Sequence, residues 1–157
     1  MLVKDIIPED FLNYKEPSMF ILFPTCDFKC CIEAGNNICQ NMAMTKMPNI
    51  EVDIEELVDK YMENDITKAV VCGGLEPMDS WRDLYDFIAT LRTRTNDTVV
   101  IYTGYRNDEI EHEVEMLRRF PNIIIKFGRF IPGQEKHYDQ VLGVNLASLN
   151  QFATKIS

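Results

Sequence analysis

Four of the five cysteines in this chain fall between positions 26 and 39. Three residues separate Cys26 from Cys30, Cys31 follows immediately, and Cys39 closes the group. Thiolates are soft ligands, and several of them in one short loop suit an iron–sulfur cluster, zinc or copper(I). The group therefore predicts either a redox catalyst or a metal-stabilised binding module.

Composition limits the setting in which these cysteines work. With 157 residues, 46% of them apolar and 26% charged, the chain is expected to form one globular domain spanning residues 1–157. The N-terminus lacks the basic and then apolar layout of a secretion signal, so we expect a cytoplasmic, reducing setting in which clustered cysteines bind metal or take part in catalysis rather than form disulfides. The net charge of −9 argues against nucleic acid or an anionic membrane as a partner.

The elements that position the cysteines are predicted from hydrophobic patterning. A helix is expected to begin near Asp53, with Glu56 completing a capping box, another near Ser80, and a third between Ile110 and Leu117. Four apolar runs without polar alternation are typical of strands buried on both faces. These runs cover residues 19–23, 69–72, 99–102 and 123–125.

Strands and helices that alternate in this way predict an α/β fold with a parallel sheet and right-handed crossovers. A closed eight-fold barrel requires about 250 residues, so the length allows only a partial, open parallel β/α barrel. We expect residues 141–147 to supply a fifth strand and residues from 150 onward to be helical.

Glycines follow the carboxyl ends of the predicted strands. Gly73 and Gly74 follow the second strand, Gly104 follows the third, and Gly128 follows the fourth. Any one of these glycines could serve turn geometry alone. Because ligands of parallel sheets bind at this edge, glycines that share it with the cysteine loop predict a single binding site.

Several segments resemble one family. The Cys26-x3-Cys30 spacing resembles the first part of the C-x3-C-x2-C loop of radical S-adenosylmethionine enzymes, and residues 73–77 (Gly-Gly-Leu-Glu-Pro) resemble their Gly-Gly-Glu-Pro segment. Residues 101–105 and 128–133, with residues 10–13 in an N-terminal arm, resemble the activating proteins of anaerobic ribonucleoside-triphosphate reductase. The resemblance runs over nearly the whole chain and implies the compact radical S-adenosylmethionine fold.

The cysteine loop departs from the family pattern. Glu33 occupies the position of the usual third ligand. Cys39, however, is followed by Gln40 and then Asn41, and the family's third cysteine likewise has an asparagine two residues after it. The resemblance therefore implies Cys39 as the third ligand, displaced by a six-residue insertion. Adjacent thiolates splay apart, so Cys30 and Cys31 are not expected to bind one cluster together. Cys30 keeps the family spacing and is favoured, with Cys31 as the alternative.

Two other segments depart as well. The glycine segment has one extra residue, which leaves open a register that begins at Gly74, and the N-terminal arm lacks the family's Gly-Pro-Gly.

The resemblance implies a [4Fe-4S] cluster with three cysteine ligands, whose fourth iron binds S-adenosylmethionine. An external one-electron donor would reduce the cluster, and cleavage of the sulfonium would give methionine and a 5′-deoxyadenosyl radical. That radical would abstract a Cα hydrogen from a glycine of the partner reductase and leave a glycyl radical there.

The resemblance also implies contacts to the bound ligand. Glu76 would accept a hydrogen bond from its ammonium group. Phe28 or Ile38 would pack on adenine, although residues of this kind more often serve ordinary loop packing. The remaining residues expected to border the ligand are Asn41, Gly73, Gly74, Pro77, Thr103 and Gly104.

Two other functions compete with this prediction. A radical enzyme of deazaguanine biosynthesis would share both cofactors but should carry polar residues for a small substrate and a magnesium site. A zinc-stabilised interaction module would use the same cysteines, but structural zinc sites usually have four ligands in paired knuckles. Cys72, which lies in the second predicted strand, is expected to be a buried structural thiol.

Overall fold

The computed structural model describes residues 1–157, and its central element is a six-stranded sheet with the order β10-β7-β6-β5-β3-β2. The helices are α1 (Lys29–Ala34), α2 (Met42–Thr45), α3 (Ile54–Glu63), α4 (Trp81–Arg92) and α5 (Glu111–Leu117). The strands are β1 (Leu2–Val3), β2 (Asp5–Asp10), β3 (Ser18–Phe23), β4 (Ile50–Glu51), β5 (Ala69–Gly74), β6 (Thr98–Tyr102), β7 (Ile123–Phe127), β8 (His137–Asp139), β9 (Val144–Leu146) and β10 (Phe152–Lys155).

The four strands predicted from apolar runs form the middle of this sheet. β3, β5, β6 and β7 pair in parallel, and nearly all of their residues are buried. The predicted start of α3 is also confirmed, because the side chain of Asp53 accepts a hydrogen bond from the Glu56 backbone N–H at 3.0 Å. The sheet is mixed, however, since β2 and β10 run antiparallel at its two edges.

The prediction of a helix after residue 150 was wrong. Residues 152–155 form β10, which pairs with β7 and covers its edge. Ala153 is buried between the exposed Phe152 and Thr154, which is the two-residue period of a strand.

The prediction that residues 141–147 form a fifth strand of the main sheet was also wrong. β9 pairs instead with β8 in a separate hairpin. The backbone of Gly143, with φ of +74°, allows the turn, and its N–H donates to the carbonyl oxygen of Asp139 at 2.8 Å.

The two faces of the sheet differ in what covers them. The three longer helices pack on one face, where Leu57, Phe87 and Leu117 contact the main hydrophobic core. A smaller apolar cluster that includes Tyr14 and Leu142 covers part of the other face. The predicted partial barrel would have its helices on one side in the same way, but the barrel itself stays a prediction. None of the helices combines the length and apolar character needed to cross a membrane.

Gly74 ends β5 in a conformation that requires glycine. Its φ is +87°, and a Cβ there would lie 2.8 Å from the Cα of Leu22. Backbone strain and overpacking each cost about 1–3 kcal/mol, so we expect Gly74→Ala to lower the free energy of unfolding by about 3 kcal/mol or more. Urea denaturation measures this loss.

Gly133→Ala is the matched control, because Gly133 has a φ of +83° but no atom within 4 Å of the added Cβ. We expect it to cost about 1 kcal/mol, from backbone strain alone. Equal losses in the two variants would contradict the close approach of β5 and β3 at Gly74.

Candidate functional site

A cavity of about 360 Å³ lies at the carboxyl ends of the parallel strands. Each strand of the parallel set ends in a loop that contributes to its wall, which is the position at which ligands bind to such sheets. The residues of these loops that line the cavity are Cys26, Cys30, Cys39 and Asn41 after β3, Gly73, Gly74, Leu75 and Glu76 at β5, Thr103 and Gly104 after β6, and Lys126 and Phe130 at β7.

The adjacent residues Cys30 and Cys31 line different cavities. Cys30 lines it together with Cys26 and Cys39, whereas Cys31 lines a different, open groove that also contains Phe28. Both cysteines lie in α1, where consecutive side chains point about 100° apart. Three cysteines thus line one cavity, and the fourth lines the separate groove.

Polar contacts attach the cysteine loop to the rest of the protein, because neither α1 nor α2 contributes a buried residue. The backbone N–H of Asp27 donates to Asp79 at 2.8 Å, and the Tyr105 hydroxyl donates to the other oxygen of Asp79 at 2.6 Å. At the far end of the loop, the Asn41 amide donates to the carbonyl oxygen of Gly74 at 2.7 Å. These bonds hold the three thiols against the glycine segment.

The three cysteines that line the cavity are not gathered around a single zinc site. Around a tetrahedral zinc with bonds of about 2.3 Å, the sulfur atoms would lie about 3.8 Å apart. The only set of three potential ligand atoms within 4.8 Å of one another belongs to Cys26, Asp27 and Asp79. The sulfur atoms of Cys26, Cys30 and Cys39 are therefore not all within the spacing that one zinc ion requires.

Glu76 is a buried carboxylate at the wall of this cavity, with only 5% of its surface exposed. Its two oxygens accept hydrogen bonds from the backbone N–H groups of Met78, at 3.1 Å, and Gly104, at 2.8 Å. Burial nevertheless raises the pKa of Glu76 to about 7, because the ionised form loses its hydration. The site holds a carboxylate that a bound cation would stabilise in its charged form.

Lys126 is a buried ammonium in the same cavity, and the sequence analysis did not identify it. Its Nζ donates to the carbonyl oxygen of Gly128 at 2.9 Å, which uses one of its three donors. Burial lowers the pKa of Lys126 to about 8, opposed by the negative charge of Glu76. The only signal in the sequence is a lysine that follows three isoleucines directly in an apolar strand.

The other predicted ligand contacts divide into two groups. Thr103, Gly104 and Gly73 line the cavity, and Gly73 packs so closely against Phe20 that a Cβ on it would lie 2.8 Å from the ring. Phe28 and Ile38 are not among the lining residues. Pro77, which is buried in the first turn after Glu76, also lies outside the lining. Cys72 is fully buried, which confirms its prediction as a buried thiol.

The raised pKa of Glu76 predicts a pH effect on stability. Because the folded state holds this proton more tightly than the unfolded chain, whose carboxyl has a pKa near 4.5, stability due to Glu76 is lost as the pH rises from about 4.5 to 7. We expect the free energy of unfolding of the metal-free protein to fall by about 2–3 kcal/mol more over this range than that of Glu76→Gln. Urea denaturation at a series of pH values measures the difference. The exposed Glu63→Gln variant should follow the unmodified protein, and parallel pH profiles for all three proteins would contradict the burial of an ionisable Glu76.

Comparison with known families agrees with this geometry. Residues 18–151 match the model of a family described as the 4Fe-4S single cluster domain. The match covers most of the chain, so this protein belongs to that family of iron–sulfur proteins, and its cofactor is a [4Fe-4S] cluster. No curated protein and no solved structure gives a significant match. The match favours iron–sulfur binding over the zinc module.

Proposed function

We propose that this protein is a radical S-adenosylmethionine activase that generates a glycyl radical on an anaerobic ribonucleoside-triphosphate reductase. The observation that carries the proposal is one cavity lined by three thiols, a buried carboxylate and a buried ammonium. The order of the motifs along the chain supports the activase branch. The iron–sulfur family alone is compatible with many redox functions.

Cys26, Cys30 and Cys39 would hold the [4Fe-4S] cluster and leave one iron without a protein ligand. When bound and reduced by an external donor, the cluster would supply one electron for cleavage of the sulfonium of S-adenosylmethionine, and the hydrogen atom removed in turn would come from the partner's glycine. The protein contributes position and shielding to this chemistry.

Glu76 and Lys126 would bind the amino-acid end of S-adenosylmethionine. This end carries an ammonium group and a carboxylate, which are opposite in charge to Glu76 and Lys126 respectively. Both side chains are at least nine-tenths buried, so each contact would replace lost hydration with a charge-assisted hydrogen bond. Because Gly104 has no side chain, the ligand could come close to the backbone beside Glu76.

The mouth of the cavity would admit the partner's glycine. Leu12 lines the cavity and is 81% exposed, and the neighbouring Phe11 is 61% exposed. Exposed apolar residues beside a site are typical of a protein-binding surface. A main-chain glycine of another protein is a substrate that would need such a surface.

The deazaguanine alternative is less well supported. Such an enzyme should hold a magnesium ion near its substrate, and Mg²⁺ prefers carboxylates and other oxygen ligands. Glu76 is the only acidic residue that lines the cavity, and its oxygens already accept backbone hydrogen bonds. We therefore prefer a protein substrate.

Activation of a candidate reductase tests the proposal. The reconstituted protein, S-adenosylmethionine, dithionite and the reductase are mixed without oxygen, and electron paramagnetic resonance detects radicals. We expect a glycyl radical doublet that is absent with Cys39→Ala. A protein that cleaves S-adenosylmethionine but forms no radical on any anaerobic reductase tested would contradict the activase function.

A further inference from the structure

Glu33 occupies the position at which the family pattern places its third cysteine, and the structure gives it a different partner. Its carboxylate lies 3.2 Å from Nε of Arg129, which follows β7, and 3.9 Å from a guanidinium nitrogen of Arg106. The pair joins the cysteine loop to the end of the fourth parallel strand. It is the contact by which α1 reaches a buried charge.

Arg129 is buried and held in place by hydrogen bonds. Its side chain is 5% exposed, and its two terminal nitrogens bind the carboxylate of Glu109 at 2.7 and 2.8 Å. Its carbonyl oxygen accepts a hydrogen bond from the side chain of Asn150 at 2.8 Å. Nε is the one buried side-chain nitrogen or oxygen in the structure without a well-aligned hydrogen bond, and the carboxylate that pairs with it is that of Glu33, at 3.2 Å.

The position of Glu33 on α1 matters because Cys30 precedes it by three residues. Side chains three apart share one face of a helix, whereas Cys31 lies about 100° away from Cys30. A rotation of α1 that keeps Glu33 against Arg129 therefore also keeps Cys30 on the side of the cavity. The Cys30 sulfur and the Cγ of Arg129 lie 3.7 and 3.8 Å from the same point, where a Cβ of Gly104 would be.

No fully buried apolar side chain fixes this rotation, because the residues of α1 are half-buried or exposed. Ile32, its most apolar side chain, is 72% exposed. A short helix without a buried face can turn about its axis at little cost. The restraints on which cysteine faces the cavity are then polar: the Lys29 ammonium donates to the Tyr105 hydroxyl at 3.0 Å, and Glu33 contacts the rigid, buried Arg129.

We propose that the Glu33–Arg129 ion pair sets the rotation of α1, so that Cys30 and not Cys31 binds the cluster. Glu33 is a positioning residue in this proposal, which rests on the proposed cluster site. In the family pattern, the residue at this position is itself a ligand. The insertion that moves the third ligand to Cys39 releases the position for a side chain that orients the second ligand.

Protection from alkylation tests this inference directly. The unmodified protein and Glu33→Lys are reconstituted, treated with iodoacetamide without oxygen, and digested, and fragment masses assign the label at each cysteine. We expect Cys30 to be protected and Cys31 labelled in the unmodified protein. In Glu33→Lys, the ratio of Cys30 to Cys31 protection should fall by up to about fivefold, since partly exposed ion pairs shift equilibria by such factors.

Glu115→Lys is the matched control, because it reverses the charge of an exposed glutamate of α5 that pairs with Arg118. The ratio of Cys30 to Cys31 protection should not change in this variant. If Glu33→Lys incorporates no cluster, Glu33→Gln provides the same comparison with a smaller expected shift. An unchanged ratio in the Glu33 variants overturns the positioning role and leaves the ligand assignment intact. Protection of Cys31 in the unmodified protein overturns the assignment of Cys30 itself.

Discussion

Cys26→Ala, Cys30→Ala and Cys39→Ala will each lose the [4Fe-4S] cluster, whereas Cys31→Ala will keep it. Cys26, Cys30 and Cys39 line one cavity and Cys31 lines another groove, so in this orientation of α1 only the first three share a site. Changes outside the ligand shell already cost about 10–100-fold in metal affinity, and loss of a ligand should cost at least as much. Iron and acid-labile sulfide analysis after anaerobic reconstitution measures the loss.

Cys72→Ala provides a second control, because Cys72 is fully buried in β5 and belongs to the hydrophobic core. It should lower stability modestly and leave the iron content unchanged. A full cluster in Cys30→Ala together with its loss in Cys31→Ala would show that the assignment of the adjacent pair is inverted. Retention of the cluster in Cys39→Ala would contradict the assignment of Cys39 as the third ligand.

Glu76→Gln and Lys126→Met will each weaken the binding of S-adenosylmethionine to the cluster-loaded protein by about 10- to 100-fold, since a hydrogen bond to a charged group contributes about 1.5–3 kcal/mol. Both changes keep the approximate volume of the side chain and remove its charge. Isothermal titration calorimetry under anaerobic conditions, with iron content matched among variants, measures the dissociation constant.

Lys60→Met is the matched control, because Lys60 is an exposed lysine on α3. It should bind S-adenosylmethionine as tightly as the unmodified protein does. If Lys126→Met also bound it with unchanged affinity, Lys126 would be a structural lysine that only holds the carbonyl of Gly128. Unchanged affinity in Glu76→Gln would contradict its contact to the ammonium group.

Long-range pairing limited how much of the fold could be predicted from the sequence. The parallel strands were predictable because burial on both faces leaves apolar runs such as 69–72. The edge strands β2 and β10 were not, because both are largely exposed and carry no continuous apolar run, and each is defined by its hydrogen bonds to another strand. The same reason explains why residues 141–147 were assigned to the wrong sheet.

The candidate site shows a similar division. Cys26, Cys39 and Glu76 could be identified because residue type and spacing carry their chemistry. Lys126 could not, because a lysine at the end of an apolar strand usually extends its charge to solvent, and only the fold shows that this one is buried. The Glu33–Arg129 contact joins two loops that are far apart in sequence, so no local pattern indicates it.

The central claim is that three cysteines hold a cluster that binds S-adenosylmethionine directly. Electron paramagnetic resonance of the reconstituted, dithionite-reduced protein, recorded with and without S-adenosylmethionine, tests it. We predict a [4Fe-4S]⁺ signal whose g values change when the compound is added. A signal that stays the same at saturating S-adenosylmethionine, or a protein that takes up stoichiometric zinc and no cluster, would contradict it.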